Sequence, residues 1–430
     1  RFCRQDKYSK CQQHIQYIET DPKCIHHSFT KKITRISTVL TASILSAALP
    51  LTALAAQNSP DDNTYQPKDV QTVDYKKSLT PEFAYSAEKW ATLRDNIMEY
   101  GELADLIHEY NPTVLSNRST YKDQKNKNLN DIYDDYMKDI DDIWDQADNA
   151  DNDVTWASLR YSAGLLTKQA DNNYEDAEME KIQYDQQEAK LVYQAQEMMV
   201  SLEQSAYNLE NLQSTRDLLQ QQYEATQAQM SVGMATQTDV LTALKSVQDQ
   251  DTAILTAKKS QENVHRNLCL MLGWSADAQP EIREVPQPDL SRVDALDPNA
   301  DAQTAIDNNY DVRYYTKKAG NLTSQDLIES NQAAIVNAKD TAIRSLKTQY
   351  NTVLTTRDSL NAAKAQLQVA EANLNLAQAN LAVGSQTKLQ SQSTLNTYTS
   401  AKNDVNTKEL QLLLALEAYD WNVKGLTTSN

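Results

Sequence analysis

Glycine is scarce in this chain: seven in 430 residues, beside ten prolines and three phenylalanines. So few turn-formers argue against a turn-rich β fold and for long helices, although tyrosine, at 22, is common. Cysteine is nearly as rare. Cys3, Cys11 and Cys24 crowd the N-terminus, and Cys269 stands alone beyond them, so no disulfide staples the rest of the chain. Positive charge is in deficit, with 41 Lys and Arg against 59 Asp and Glu and a net charge of −18. That argues against nucleic acid as a partner, because phosphate binding needs basic stripes. Beyond the N-terminal region no apolar run approaches the ~18 residues of a spanning helix. Gly-rich phosphate loops are missing, as are Ser/His/Asp and Cys/His arrangements, and His108 and His265 look isolated. An enzyme is not expected, nor a cofactor or a metal.

What is present begins with a processed N-terminus. Residues 1–29 contain no Met, the first being Met98, and read as an upstream or non-native extension. Their Cys residues, with His14, His26 and His27, match no zinc-finger or ribbon spacing. Residues 30–55 read as a secretory signal peptide: Lys31, Lys32 and Arg35, an apolar run, then the small-residue site Ala53-Leu54-Ala55. Export to the cell envelope is the expected consequence. Residues 56–80, with Pro60 and Pro67, read as a polar linker.

From 81 to 274 the pattern is helical. "EKWATLRDNIMEYGELADLIHEYNP" predicts helix stopping at Asn111-Pro112, and an acidic helical stretch covers 128–172. From about Tyr174 to Ser231 neither Gly nor Pro occurs. There Val192, Ala195, Met199, Leu202, Ala206, Leu209 and Leu212 form a seam of coiled-coil spacing. "MSVGMATQTDV" (230–240) then stops one helix and starts another: Gly233 suits a left-handed C-terminus, Thr236 an N-cap, and Asp239 its capping-box partner. That is the tip of an antiparallel hairpin, and the return helix ends near Gly273.

Residues 275–301, with four prolines, read as a connector, and 302–430 repeat the plan. A second unbroken run, about 323–383, carries Leu360, Ala363, Leu367, Ala370, Leu374, Ala377 and Leu381 in seam positions. "LAVGSQTKLQ" (381–390) breaks it at Gly384, with Thr387 and Gln390 as the second capping pair. The interval from Gly233 to Gly273 is 40 residues and that from Gly384 to Gly425 is 41. Matched breaks, caps and return lengths predict an internal duplication: an all-α chain of two tandem helical hairpins.

These residues resemble the TolC family of bacterial efflux and secretion ducts. "SVGMATQTDVLTA" is close to the family's hairpin-tip sequence, "AVGSQTKLQSQSTL" is a weaker match, and "EYNPTVL" and "DNNYDVRYY" look like its paired repeat openings. The resemblance covers roughly residues 84–430. It implies a homotrimer whose six hairpins close into a long hollow α-barrel, and an outer-membrane location. It also implies that the tips dock a periplasmic adaptor (membrane-fusion) protein, which joins a membrane pump. The tip residues it implies are Val232, Gly233, Met234, Thr236 and Asp239, and Val383, Gly384, Ser385, Thr387 and Gln390.

Two departures stand out. Family members insert β-strands between the helices of each repeat and build a membrane barrel from them. No such strands are legible here, and a short turn near Gly320 is expected instead. Family members also often narrow the tip with acidic residues in the second repeat, where this chain has Gln390 and Ser393.

The remaining features have plain readings. In the acidic block Ile132, Tyr136, Ile140, Ile143 and Ala147 keep helical spacing, so most of its Asp form a solvated face. "DNADND" lacks the Gly and closing Glu of an EF-hand loop. Cys269 reads as a buried thiol, and the acceptor-like "NLT" at Asn321 as chance. Transport duct is the leading expectation. The alternative is an exported coiled-coil spacer of the envelope without transport activity.

Overall fold

A computed structural model describes residues 85–172 and 175–428. The extension, the signal peptide, the linker and the N-terminal Cys and His residues lie outside the described residues.

The chain opens with α1 (Ala87–Thr92), a two-residue strand β1 (Ile97–Met98) and a 3-10 turn at Tyr100–Glu102. Then come α2 (Leu103–Tyr110) and α3 (Pro112–Gln124). The expected helix is broken at residues 93–99 but does stop at Asn111, which closes α2 and at the same time opens α3. Asn111 has extended backbone and accepts from the N–H groups of Thr113 and Val114. Pro112 takes the first helical position, where no N–H is needed. β1 pairs in parallel with β2 (Glu281–Ile282), so the connector is drawn onto the first repeat. This small pair is the one departure from all-α among the described residues.

α4 (Leu129–Asp148) and α5 (Asp153–Asn172) come next. The expected acidic helical stretch is thus a hairpin turning at 149–152. Ile140, Ile143 and Ala147 of α4 pack on Ala163, Leu166 and Ala170 of α5, and the Asp residues line the other side of α4.

The long elements are α6 (Ala177–Ser231) and α7 (Gln237–Met271), then α11 (Gln325–Ala382) and α12 (Lys388–Val423). At 1.5 Å per residue the outgoing helices of 55 and 58 residues run about 83 and about 87 Å. Between the two hairpins lie α8 (Leu290–Ala295), α9 (Ala302–Asn308) and α10 (Tyr310–Lys318). The turn expected near Gly320 is a 3-10 turn at Ala319–Asn321. Asn321 is buried and donates to Asp176 at 3.0 Å. α7 packs on α6, α6 on α12, and α12 on α11.

The second seam packs as spaced: Leu360, Ala363, Ala370, Leu374 and Ala377 are buried. In the first, Val192, Ala195, Met199, Leu202 and Leu209 are buried, but Ala206 is exposed. It lines an open groove between α6, α7 and the connector, with Leu202 and Val285.

The duplication extends to the base of each hairpin. Asn111 caps α3 and donates its amide to the Met271 carbonyl at 2.9 Å. Asn309 caps α10 and donates to the Gly425 carbonyl at 3.2 Å. Each asparagine thus ties an opening helix to the end of a return helix. Gly273 and Gly425 have φ of +89° and +104°, and a Cβ there would collide with Tyr110 and with the Asn308 carbonyl, respectively.

Gly233 and Gly384 also have positive φ but face open space. Alanine at either should cost only left-handed strain, about 1–2 kcal/mol. Gly425→Ala adds a backbone collision and should cost more, about 3 kcal/mol. Urea midpoints of the three variants give the order directly.

Candidate functional site: the two hairpin tips

The four long-helix C-termini close in one pattern. At the first tip the Met234 N–H reaches back to the Gln229 carbonyl at 2.8 Å and the Gly233 N–H to Met230 at 3.0 Å. At the second tip Ser385 reaches Asn380 at 2.9 Å and Gly384 reaches Leu381 at 3.1 Å. These are the paired bonds of a Schellman motif. The same pairs occur at the bases, from Trp274 to Cys269 and from Leu426 to Trp421.

The residue after the glycine separates base from tip. A Schellman motif usually buries that residue against the helix it closes. Trp274 and Leu426 obey this and are buried. Met234 does not: it is 80% exposed, and Val232 and Val383 beside the glycines are 69% and 78% exposed. Three large apolar side chains therefore stand in water at the ends of hairpins whose bases are packed.

The return helices start with matching capping boxes. Asp239 N–H donates to the Thr236 hydroxyl at 3.2 Å, and Thr236 N–H donates to the Asp239 carboxylate at 2.8 Å. At the second tip the corresponding distances are 3.2 Å to Thr387 and 3.0 Å to the Gln390 side-chain oxygen. The tips differ in charge. Donors from Thr236, its backbone N–H first and its hydroxyl second, hold the Asp239 carboxyl below the ordinary aspartate range. Gln390 does the same structural work without charge.

All ten sequence-identified residues lie at these two turns, five to each. Their caps explain Gly233, Thr236, Asp239, Gly384, Thr387 and Gln390, while Val232, Met234 and Val383 have no packing role in the chain.

Sequence reasoning passed over a charged cluster at the base of the first hairpin. His108 is not isolated: it is buried, with Nδ1 2.7 Å from Glu188. Arg118 donates to the His108 carbonyl and lies 3.9 Å from Glu109. Burial holds the Glu109 carboxyl above its usual range, partly offset by Arg118. Glu188 is 80 residues from His108 in sequence, and the cluster forms only when α2, α3 and α6 pack. His265 is not isolated either, since it sits 3.8 Å from the buried Cys269 sulfur. Among the described residues no three His, Cys, Asp or Glu side chains gather as a metal site. No described helix is long and apolar enough to cross a membrane.

No family model matches the chain, and no curated protein is similar to it. Solved structures are similar. A membrane protein of Pseudomonas aeruginosa aligns with a TM-score of 0.50 at 13% identity, over 76% of this chain and 90% of that one. The outer membrane protein VceC of Vibrio cholerae aligns at 0.45 and 12%, over 76% and 97%. The CmeC outer membrane channel of Campylobacter jejuni aligns at 0.44 and 12%, over 83% and 93%. At such identities the likeness is one of fold alone, and the fold is two tandem helical hairpins.

The charge difference between the tips gives a pH test. Asp239 has a folded pKa below its unfolded value, so its support is full above the ordinary aspartate pKa of about 3.9 and fades as pH falls through the lower folded value. Hydrogen-exchange protection of residues 237–240, corrected for intrinsic rates, should drop as pH falls below about 3.9. Protection of 388–391 should stay level, and Asp239→Asn should remove the difference.

Proposed function

We propose that this chain is an exported envelope protein that acts as the duct of an efflux or secretion system. Copies assemble, as a homotrimer, into an α-helical conduit. The two hairpin tips dock an adaptor of the periplasmic, membrane-fusion type, and the adaptor connects the duct to a membrane pump. The docking residues are Val232, Gly233, Met234, Thr236 and Asp239 on one tip, and Val383, Gly384, Ser385, Thr387 and Gln390 on the other.

The observation that carries this reading is the exposed apolar trio on otherwise tightly capped turns. Rigid turns place Val232, Met234 and Val383 with little conformational freedom left to lose on binding, which favours docking. The same turns need no apolar side chain for their own stability. The TolC-like fold supports a duct, and the resemblance of both tip sequences supports an adaptor as the partner.

A second reading has its own support. Where family members insert barrel strands in the first repeat, this chain has the helical hairpin α4/α5. An exported coiled-coil spacer of the envelope, without transport activity, would keep the fold and need no membrane barrel. Outer-membrane placement rests on the resemblance alone.

Light scattering with negative-stain images of the exported chain separates the two readings: a trimeric hollow particle supports the duct. Binding to a co-encoded adaptor then tests the tips. Met234→Asp and Val383→Asp should each weaken it about tenfold or more, near 1.4 kcal/mol, with the melting temperature unchanged. A monomer that ignores the adaptor removes the duct reading.

A further inference from the structure

The two hairpins are one plan used twice, at a fixed offset. Gly384 follows Gly233 by 151 residues, and Thr387 follows Thr236 by the same 151. α11 is therefore the counterpart of α6, and α12 the counterpart of α7. Inside the chain one outgoing helix, α6, packs on one return helix, α12. The other outgoing helix, α11, and the other return helix, α7, are the two edges of the layer. By the duplication, these edges carry the same two surfaces that meet between α6 and α12.

Three hydrogen-bonded rungs mark where α6 and α12 meet: Asn211 with Asn403, Thr215 with Asn396, and Gln221 with Gln392. Moved by 151 residues, they become Ala362 with Thr252, Gln366 with Lys245, and Ala372 with Leu241. All six of these are exposed. An exposed helix face should be polar, yet the counterparts of Asn211, Gln221 and Gln392 are alanine and leucine. From Ala362 the same stripe continues at sevens through Val369 and Leu376, which are 62% and 60% exposed. On α7 the stripe runs at sevens from Leu241 through Gln248 to Leu255, with the two leucines 56% and 54% exposed. Seven residues is the period at which one helix face stays turned towards a supercoiled partner.

The same offset selects what covers these stripes. α6 takes a return helix as its partner, so its counterpart α11 calls for a return helix too. The free one is α7, and the chain's own α7 is out of reach because α6 and α12 lie between it and α11. We propose that α11 of one copy packs on α7 of the next copy, in the register that α6 and α12 take within the chain. Ala362, Val369 and Leu376 form one side of this seam, and Leu241, Thr252 and Leu255 the other. Each copy offers both surfaces, so the contact is head-to-tail and repeats until a ring closes. It differs in kind from the joint inside the chain. Amide rungs pin the two repeats of one copy, whereas apolar side chains and a single Gln366–Lys245 rung join one copy to another. The proposal rests on the duct reading and gives that assembly its seam.

The test uses the full chain with Cys3, Cys11 and Cys24 changed to Ser; Cys269 is buried and stays. A short bismaleimide should link copies carrying both Ala362→Cys and Thr252→Cys into covalent dimers and trimers. Ala362→Cys with Ser260→Cys moves the second cysteine to the groove between α6 and α7 and should link at least tenfold less. Circular dichroism checks that each variant keeps its helix. Linking by Ala362→Cys alone would place α11 on α11 and overturn the seam. A trimer by light scattering in which the two double variants link equally also overturns it and leaves the duct reading standing. A monomer overturns both.

Discussion

The clasp at the base of each hairpin is the contact on which the rest depends. A helix of 55 or 58 residues is a long lever, and a small rotation at its base displaces its tip by many ångströms. The chain fixes the base with one asparagine per repeat. Asn111 and Asn309 cap one helix with the side-chain oxygen and hold the end of another with the nitrogen. Both asparagines are buried, where lost partners would leave unsatisfied polar groups. The facing glycines, Gly273 and Gly425, remove the Cβ that would keep the two backbones apart. Asparagine and glycine are therefore two halves of one device, used twice.

Above the clasp the repeats are joined by a ladder of polar side chains between α6 and α12. Gln196 accepts from Trp421, Asn403 donates to Asn211, Thr215 donates to Asn396, and Gln221 donates to Gln392. Apolar packing alone would let two long helices slide by a turn at little cost. Specific hydrogen bonds penalise such a shift, because each displaced amide loses its partner. The Leu/Ala seam of α11 supplies adhesion within the second repeat, and the ladder supplies register between repeats. Two tips set by the same clasp and ladder are presented in a fixed relation to each other.

Base and tip then share a chemistry and differ in purpose. All four long helices end in the same glycine motif, but only at the bases does the next residue bury itself. Trp274 and Leu426 lock the repeats; Met234 and Ser385 face solvent. Exposed apolar side chains on rigid turns do nothing for folding, and this sets Val232, Met234 and Val383 apart from the capping residues beside them.

Much of this was legible in the sequence. Helix type, hairpin number, tip position and capping pairs obey local rules: a left-handed site needs glycine, an N-terminus needs Thr with Asp or Gln three places on, and a seam repeats every three to four residues. Those rules act within a few residues, so the sequence alone determined them. The break at residues 93–99, the pairing of Ile97 with Glu281, the buried His108–Glu188 contact and the exposure of Ala206 were not legible. Each depends on what a distant segment places nearby. Asn111-Pro112 shows the limit most clearly: the stop expected there is real, but only the fold showed that the same dipeptide also opens the next helix. Local chemistry chose the elements; only packing decided which polar groups found partners and which apolar ones stayed exposed.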